Sequence, residues 1–328
     1  MRKLRAGVSG AVLALVALLL SVPGCMSEPR HPLRFGINAW PPFELLYLAR
    51  EKGFLRDAGV EIELVDFSSY TGILRSYHQG NIDGFLATLN EVMIAENFQD
   101  LPAVVLVADY SFGGDALIAR DGVVSMAGLK GRRLAYEESA LGSYLLERAF
   151  EVGGLSPDAV QIENHVPEDG IQAFVSGRVD ALLTYEPDLT RLVNERGARV
   201  VFSSREIPGE VVDVLALRRS LLPERSAEMR AVLRAWFRAA EYLKERPDEA
   251  AALMAARQGV GASELLTSLR GAHIPDLQEN LALLGTREAP GSLHAIGARL
   301  GTFLLSHKLA NEVASPAEIF HPELLGSL

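Results

Sequence analysis

The sequence predicts an α/β protein: two lobes of parallel-rich sheet flanked by helices, followed by a long helical segment at the C-terminal end. Three observations carry this. From residue 33 to residue 217, short apolar runs alternate with amphipathic stretches of helical period. After Leu217 the alternation stops, and helix or loop follows almost to the end. Within the alternating part, Gly80 to Thr88 (GNIDGFLAT) is echoed 97 residues later by Gly177 to Tyr185 (GRVDALLTY). In both copies a glycine stops a helix, an aspartate turns the chain and a buried strand begins, so the echo reads as two pseudo-equivalent lobes.

Taken in order, residues 33–37 alternate apolar and polar positions, as a strand does. Pro41 and Pro42 stand at a helix start, where a missing N–H costs least. Leu45, Leu46, Leu48 and Ala49 give that helix its apolar stripe, and Gly53 ends it. Residues 60–65 read as a second strand. Ser68 and Ser69 cap a helix that runs to His78 and stops at Gly80. Further strands are expected at 83–87, 104–108, 116–120, 133–136, 160–163, 181–184, 200–202 and 212–217, with helices in most of the gaps. Residues 224–245 and 247–258 are amphipathic helices, and 293–307 is another. A helical segment of this size must bury its apolar faces against the sheets.

The N-terminus predicts export. Arg2, Lys3 and Arg5 precede an apolar run from Ala11 to Leu20, closed by Val22, Pro23, Gly24 and Cys25. The run is short for a bilayer span, which takes about 20 residues, so residues 1–24 read as a signal peptide. A cysteine directly after a small residue resembles a lipobox. Cys25 is therefore expected to carry a lipid anchor, with residues 25–32 as a tether. It is the only cysteine in 328 residues, which leaves the mature chain no internal disulfide, cysteine-based zinc site or internal cysteine nucleophile. A composition 48% hydrophobic and 23% charged supplies an ordinary core instead. The net charge of -10 becomes -13 once the three basic residues of the leader are removed, which argues against a nucleic-acid partner.

Catalytic signatures are scarce. The chain has no G-x-S-x-G, H-E-x-x-H, Walker A or G-x-G-x-x-G sequence. Its seven histidines are scattered, with no pair at metal-ligand spacing. No catalytic residue, metal or cofactor is expected. Binding groups are sought at strand ends and helix starts, because ligands of open α/β sheets sit outside the carboxyl ends of the strands. In chain order these are Asn38, Trp40, Phe43 and Glu44, then Thr88, Asn90 and Glu91, then Asp109, Tyr110, Ser111 and Asp115. Glu137, Glu138, Ser139, Gly142, Ser143, Tyr185, Glu186 and Asp213 complete them. The free N–H groups of the helix opening at Ser139–Ser143 suit a polar or anionic ligand. The carboxylates and aromatic rings of the set, Tyr136 included, suit a cationic or amine-bearing one.

Several stretches then combine. They are Trp40–Glu44 (WPPFE), Leu48–Phe54 (LAREKGF), Gly80–Asp83, Asp109–Ala116 (DYSFGGDA), Leu129–Ala135 (LKGRRLA), Thr184–Pro187 and Ile207–Val214 (IPGEVVDV). In this order and spacing the chain resembles the nitrate/taurine/aliphatic-sulfonate family of periplasmic binding proteins, from about Phe35 to Leu217 and more loosely beyond. The resemblance implies a type II periplasmic-binding-protein fold, with two α/β lobes joined by two crossover strands. Lobe one would be residues 33–117 plus 214–328, with the C-terminal helices packed on it, and lobe two residues 118–213. It implies a monomeric, lipid-anchored solute-binding component of an ABC importer, not an enzyme, that delivers a small solute to a permease and its ATPase. Trp40, Asn90, Glu91, Asp115, Ser139, Ser143, Tyr185, Glu186 and Asp213 would line the cleft between the lobes. Family members take nitrate, bicarbonate, sulfonates, amines or thiamine precursors, so the resemblance implies the task and leaves the cargo open. Pro42, Phe43 and Asn90 stand where many relatives have other residues. Two further readings are a tethered ligand sensor and a binding protein or enzyme related to thiamine-pyrimidine synthesis, although the synthases use a cysteine-rich motif that this chain lacks.

Overall fold

The echo in the sequence becomes two sheets of matching strand order. The computed structural model describes residues 31–94, 98–99, 101–285 and 292–328; Cys25 and the expected signal peptide lie outside them. Among the described residues the first sheet holds β1 (Leu33–Ile37), β2 (Ile62–Asp66), β3 (Gly84–Thr88), β4 (Ala103–Ser111), β10 (Val212–Leu217) and β11 (Ala272–His273). The second holds β5 (Asp115–Ala119), β6 (Arg133–Tyr136), β7 (Gln161–Asn164), β8 (Ala181–Tyr185) and β9 (Arg199–Ser203). The orders are β11-β4-β10-β3-β1-β2 and β7-β6-β8-β5-β9, so β2-β1-β3-β10-β4 corresponds to β7-β6-β8-β5-β9. The arrangement is the type II periplasmic-binding-protein fold expected from the resemblance.

The correspondence reaches single hydrogen bonds. The Arg34 N–H donates to Asp83 at 2.9 Å, and its guanidinium donates to the Gly80 carbonyl at 3.0 Å. Arg133 repeats both contacts, to Asp180 at 3.0 Å and to Gly177 at 3.2 Å. Gly80 and Gly177 take left-handed φ values of 76° and 79°, which a residue bearing a Cβ adopts only with strain. The carbonyls of Asp83 and Asp180 then receive the main-chain N–H groups of Arg218 and Arg120. Each turn thus fixes the start of its central strand, β3 or β8, and aims the far end of that strand at the other sheet.

Both sheets are mixed rather than purely parallel. β1 pairs in parallel with β2 and β3, and β6 with β7 and β8, whereas β10 and β5 run antiparallel to both of their neighbours. β5 and β10 arrive from the opposite sheet, so they enter where β3 and β8 end. The chain changes sheets at residues 112–114 and 204–211, and the divisions expected after residues 117 and 213 fall inside β5 and β10. The two connections touch: the Ser204 hydroxyl meets that of Ser111 at 2.8 Å and accepts the Gly113 N–H at 2.6 Å.

Beyond β10, helix Leu222–Glu245 packs on helix Glu44–Glu51, and helix Pro247–Gln258 closes over both. Trp236 on the first of these is fully buried with Phe35, Phe43 and Phe85. The expected helix at Pro41 starts as a 3-10 turn, Pro41–Phe43, before continuing as helix from Glu44. β11 is an element the helical pattern did not predict, a two-residue strand on the edge of β4. No helix among the described residues is long and apolar enough to cross a membrane.

Candidate functional site

The strand ends of the two sheets face one another, and polar side chains fill the space between them. In the first sheet Thr88, Asp213 and Asp109 are register neighbours across β3, β10 and β4, so their side chains share one face. The indole N–H of Trp40 donates to both Asp109 oxygens at 3.1 Å. From the second sheet come Asp115 and Tyr185, register partners on β5 and β8. The Tyr185 ring meets Trp40 edge-on at a centroid distance of 6.4 Å. Gly114 lets these parts approach: a Cβ there would lie 2.4 Å from the Trp40 ring and 2.8 Å from the Gly271 carbonyl.

Each side of the cleft turns a carboxylate toward a helix opening of the other. Glu91, just past β3, accepts the Leu141 N–H at 3.1 Å in the first turn of helix Ala140–Gly153. In the reverse direction, Glu137 follows β6 and faces the N–H groups of Tyr70 and Thr71, which open helix Tyr70–His78. Helix N-termini attract negative charge because their N–H groups lack intrahelical partners. Here the protein's own carboxylates take those places. Ser139 caps the Ala140 helix through the Gly142 N–H at 3.0 Å, and a Cβ on Gly142 would collide with the Glu137 carbonyl.

Burial dominates the electrostatics. Glu91 and Glu137 are each pushed up to about 7 and Asp115 to about 6, mainly because little water reaches their charged forms. Asp213 is driven well above the usual carboxylate range by burial and by the nearby charges of Asp109 and Asp115. The affinity of Asp109 for protons is likewise raised by burial. Buried acids elsewhere are paired with arginine: Glu44 with Arg257, Asp83 with Arg34. Lys and Arg are absent from the described lining of the cleft cavity.

That cavity encloses about 40 Å³, bounded by Tyr70, Asp115, Tyr136, Glu137, Ser139 and Tyr185, with Leu141, Leu145 and Leu182 behind them. Of the residues named from sequence, Asp115, Tyr136, Glu137, Ser139, Gly142 and Tyr185 line it directly. Trp40, Asn90, Glu91 and Asp213 are almost fully buried and stand outside its lining, Trp40 against Tyr185 and Glu91 against Leu141. Ser143 lies at its edge beside Tyr136. Glu186 is otherwise engaged: it accepts from the Thr190 N–H at 3.0 Å, the Thr190 hydroxyl at 2.7 Å and the Ser268 hydroxyl at 3.0 Å. Several buried polar atoms have no partner, namely Thr88 Oγ1, both amide atoms of Asn90, Asp213 Oδ1 and Glu137 Oε1. Sequence reasoning missed Tyr70 and His165 in the lining, and Ser268 behind it. Tyr70 directly follows Ser69, the cap that sequence did identify, and that adjacency was the available signal.

Comparison with known proteins supplies context for this geometry. The family model described as NMT1/THI5 like matches residues 40–250. A Brucella abortus (strain 2308) protein provisionally named as a binding protein is 29% identical over 182 residues, 53% of this chain. That match spans about half of the relative, 54% of its length. A Bacillus subtilis (strain 168) protein provisionally named as aliphatic sulfonates-binding is 26% identical over 261 residues, 74% of this chain and 76% of the relative. Among solved structures, the periplasmic aliphatic sulphonate binding protein SsuA from Escherichia coli superposes with a TM-score of 0.72 at 18% identity, covering 91% of this chain and 100% of that one. The desulfurization enzyme DSZB shares the fold at a TM-score of 0.68 and 21% identity, over 91% of this chain and 98% of that one. The family likeness inferred from the Trp40 to Val214 motifs holds.

Proposed function

Because the chain belongs to the NMT1/THI5-like family, we propose that it is the extracytoplasmic solute-binding component of an ABC importer. It captures a small solute between its two sheets and presents it to a permease driven by an ATPase. The observation that carries this reading is the cleft itself. Strand ends from both sheets converge on buried, unpartnered polar atoms of Thr88, Asn90 and Asp213, beside the aromatic rings of Trp40 and Tyr185. Unpaired buried polar groups are costly, and a ligand that completes them recovers that cost. The relatives named for sulfonate binding and the fold shared with SsuA support the same task.

In this reading the residues on β1, β3, β4 and β10 form one jaw and those on β5 to β9 the other. Trp40, Asn90, Glu91 and Asp213 meet the solute from the first, and Asp115, Ser139, Ser143 and Tyr185 from the second. Contacts made only when both jaws engage the solute shift the protein toward its closed form. Glu186 acts behind this surface, holding Tyr185 and Pro187 in place through Thr190 and Ser268. The basic and apolar leader supports export, and acylated Cys25 would tether the protein at the membrane beside its permease.

A thermal-shift screen against small solutes tests the reading, because a ligand that binds only the folded state raises Tm with concentration. A concentration-dependent rise that Trp40→Ala abolishes is the expected result. A rise of equal size in Trp40→Ala would place the bound solute outside this cleft.

A further inference from the structure

We propose that the solute is a small organic cation, an amine, amidine or guanidine head group, held by Asp213, Asp115 and Glu137 among the rings of Trp40, Tyr70 and Tyr185. The inference rests on the reading of this cleft as the solute site and adds the charge of the solute to it.

Away from the cleft this protein pairs buried carboxylates with arginine, Arg257 with Glu44 and Arg34 with Asp83, while Glu186 is held by Thr190 and Ser268. Asp109, Asp115, Asp213, Glu91 and Glu137 converge on the cleft without any Lys or Arg among the groups that act on them. Their charge interactions with one another and with Glu186 and Glu168 are all repulsive. A buried carboxylate is tolerated when it is paired, protonated or waiting for a cation.

Asp213 is 2% exposed and its Oδ1 has no partner, while Thr88, its register neighbour on the same face, is 1% exposed with a free Oγ1. Glu137 Oε1 is likewise buried and unpartnered on the opposite wall. These oxygens are acceptors, and a head group bearing several N–H donors would satisfy them together.

A sulfonate or nitrate would look for helix N-termini, but the openings of helices Ala140–Gly153 and Tyr70–His78 already face Glu91 and Glu137. The surrounding rings suit a cation, whose charge is attracted to the faces of Trp and Tyr. The cavity of about 40 Å³ between Asp115, Glu137, Tyr70 and Tyr185, with Trp40 packed behind Tyr185, matches a head group about the size of three waters. Among the described residues no group of three or more acidic, His or Cys side chains could hold a metal ion, which favours an organic cation.

Matched pairs of probes decide the matter by calorimetry: guanidinium against nitrate, two planar ions of like shape, and benzamidine against benzoate. The cation of each pair should bind about ten-fold or more tightly than the anion. Asp213→Asn should weaken cation binding by a similar factor at unchanged Tm, and Asp115→Asn serves as the second variant if the first fails to fold. Tighter binding of the anions would overturn the proposal and leave the solute-binding reading standing. Cation binding indifferent to both substitutions would overturn it as well. No binding of either class at millimolar concentration would remove both readings.

Discussion

Glu91 accepts the main-chain N–H of Leu141 at 3.1 Å, so a carboxylate attached to the first sheet closes the opening turn of a helix that belongs to the second. With Glu137 facing the Tyr70 helix from the other side, the cleft is latched reciprocally.

The latch predicts a stability loss. Glu91→Ala would leave the buried Leu141 N–H without an acceptor, at a cost of about 1–3 kcal/mol. Glu91→Gln retains an acceptor oxygen and should recover most of it. Urea unfolding midpoints of the two variants report the difference, and equal midpoints would mean that the Glu91 contact is dispensable.

The pH dependence has a definite sign. Glu91 and Glu137 are raised to about 7 and Asp115 to about 6, so the folded protein holds protons that the unfolded chain gives up near pH 4. The stabilisation is fully present below that lower range and is lost as pH rises through 6 to 7. The ligand-free Tm should therefore fall between pH 5 and pH 8, and Glu137→Gln should flatten the fall. A Tm that climbs over this interval would contradict the raised affinities.

Glu186 separates a positioning role from contact with solute. Glu186→Ala removes the acceptor of Thr190 and Ser268 and should destabilise the fold by about 1–3 kcal/mol. Ser268→Ala should reproduce part of that loss, about 1 kcal/mol. Denaturant titration measures both. A Glu186→Ala protein of native stability that no longer binds solute would return Glu186 to the ligand surface.

Gly114→Ala tests the close approach under Trp40. The added Cβ would sit 2.4 Å from the indole and 2.8 Å from the Gly271 carbonyl, so the ring must shift. Overpacking of this kind costs about 1–3 kcal/mol. Tryptophan fluorescence should change along with Tm, since the Trp40 bond to Asp109 is disturbed. An unchanged spectrum would show that the ring has room to give.

Much of the architecture was legible in the residues because it depends on local pattern. The GNID and GRVD turns carried both the helix stops and the strand starts, and the Arg34 and Arg133 contacts explain why each turn needs its aspartate. What stayed hidden depends on contacts distant in sequence. β11 forms because residues 272 and 273 meet the edge of β4, and nothing in two residues announces that. Glu186 reads as a free carboxylate at a strand end until Ser268, 82 residues later, is found against it. The mixed direction of the sheets also lay beyond periodicity, since a buried strand shows the same apolar run whichever way it points.

The Ser204 hydroxyl, bonded at once to Ser111 and to the Gly113 N–H, ties together the two places where the chain changes sheets. Two connections pinned to each other define an axle. An axle of this kind favours a swing of the sheets about that line over sliding or drawing apart. A swing about that axle would turn Asp115 on β5 and Asp213 on β10 relative to one another while Ser204 stays in place.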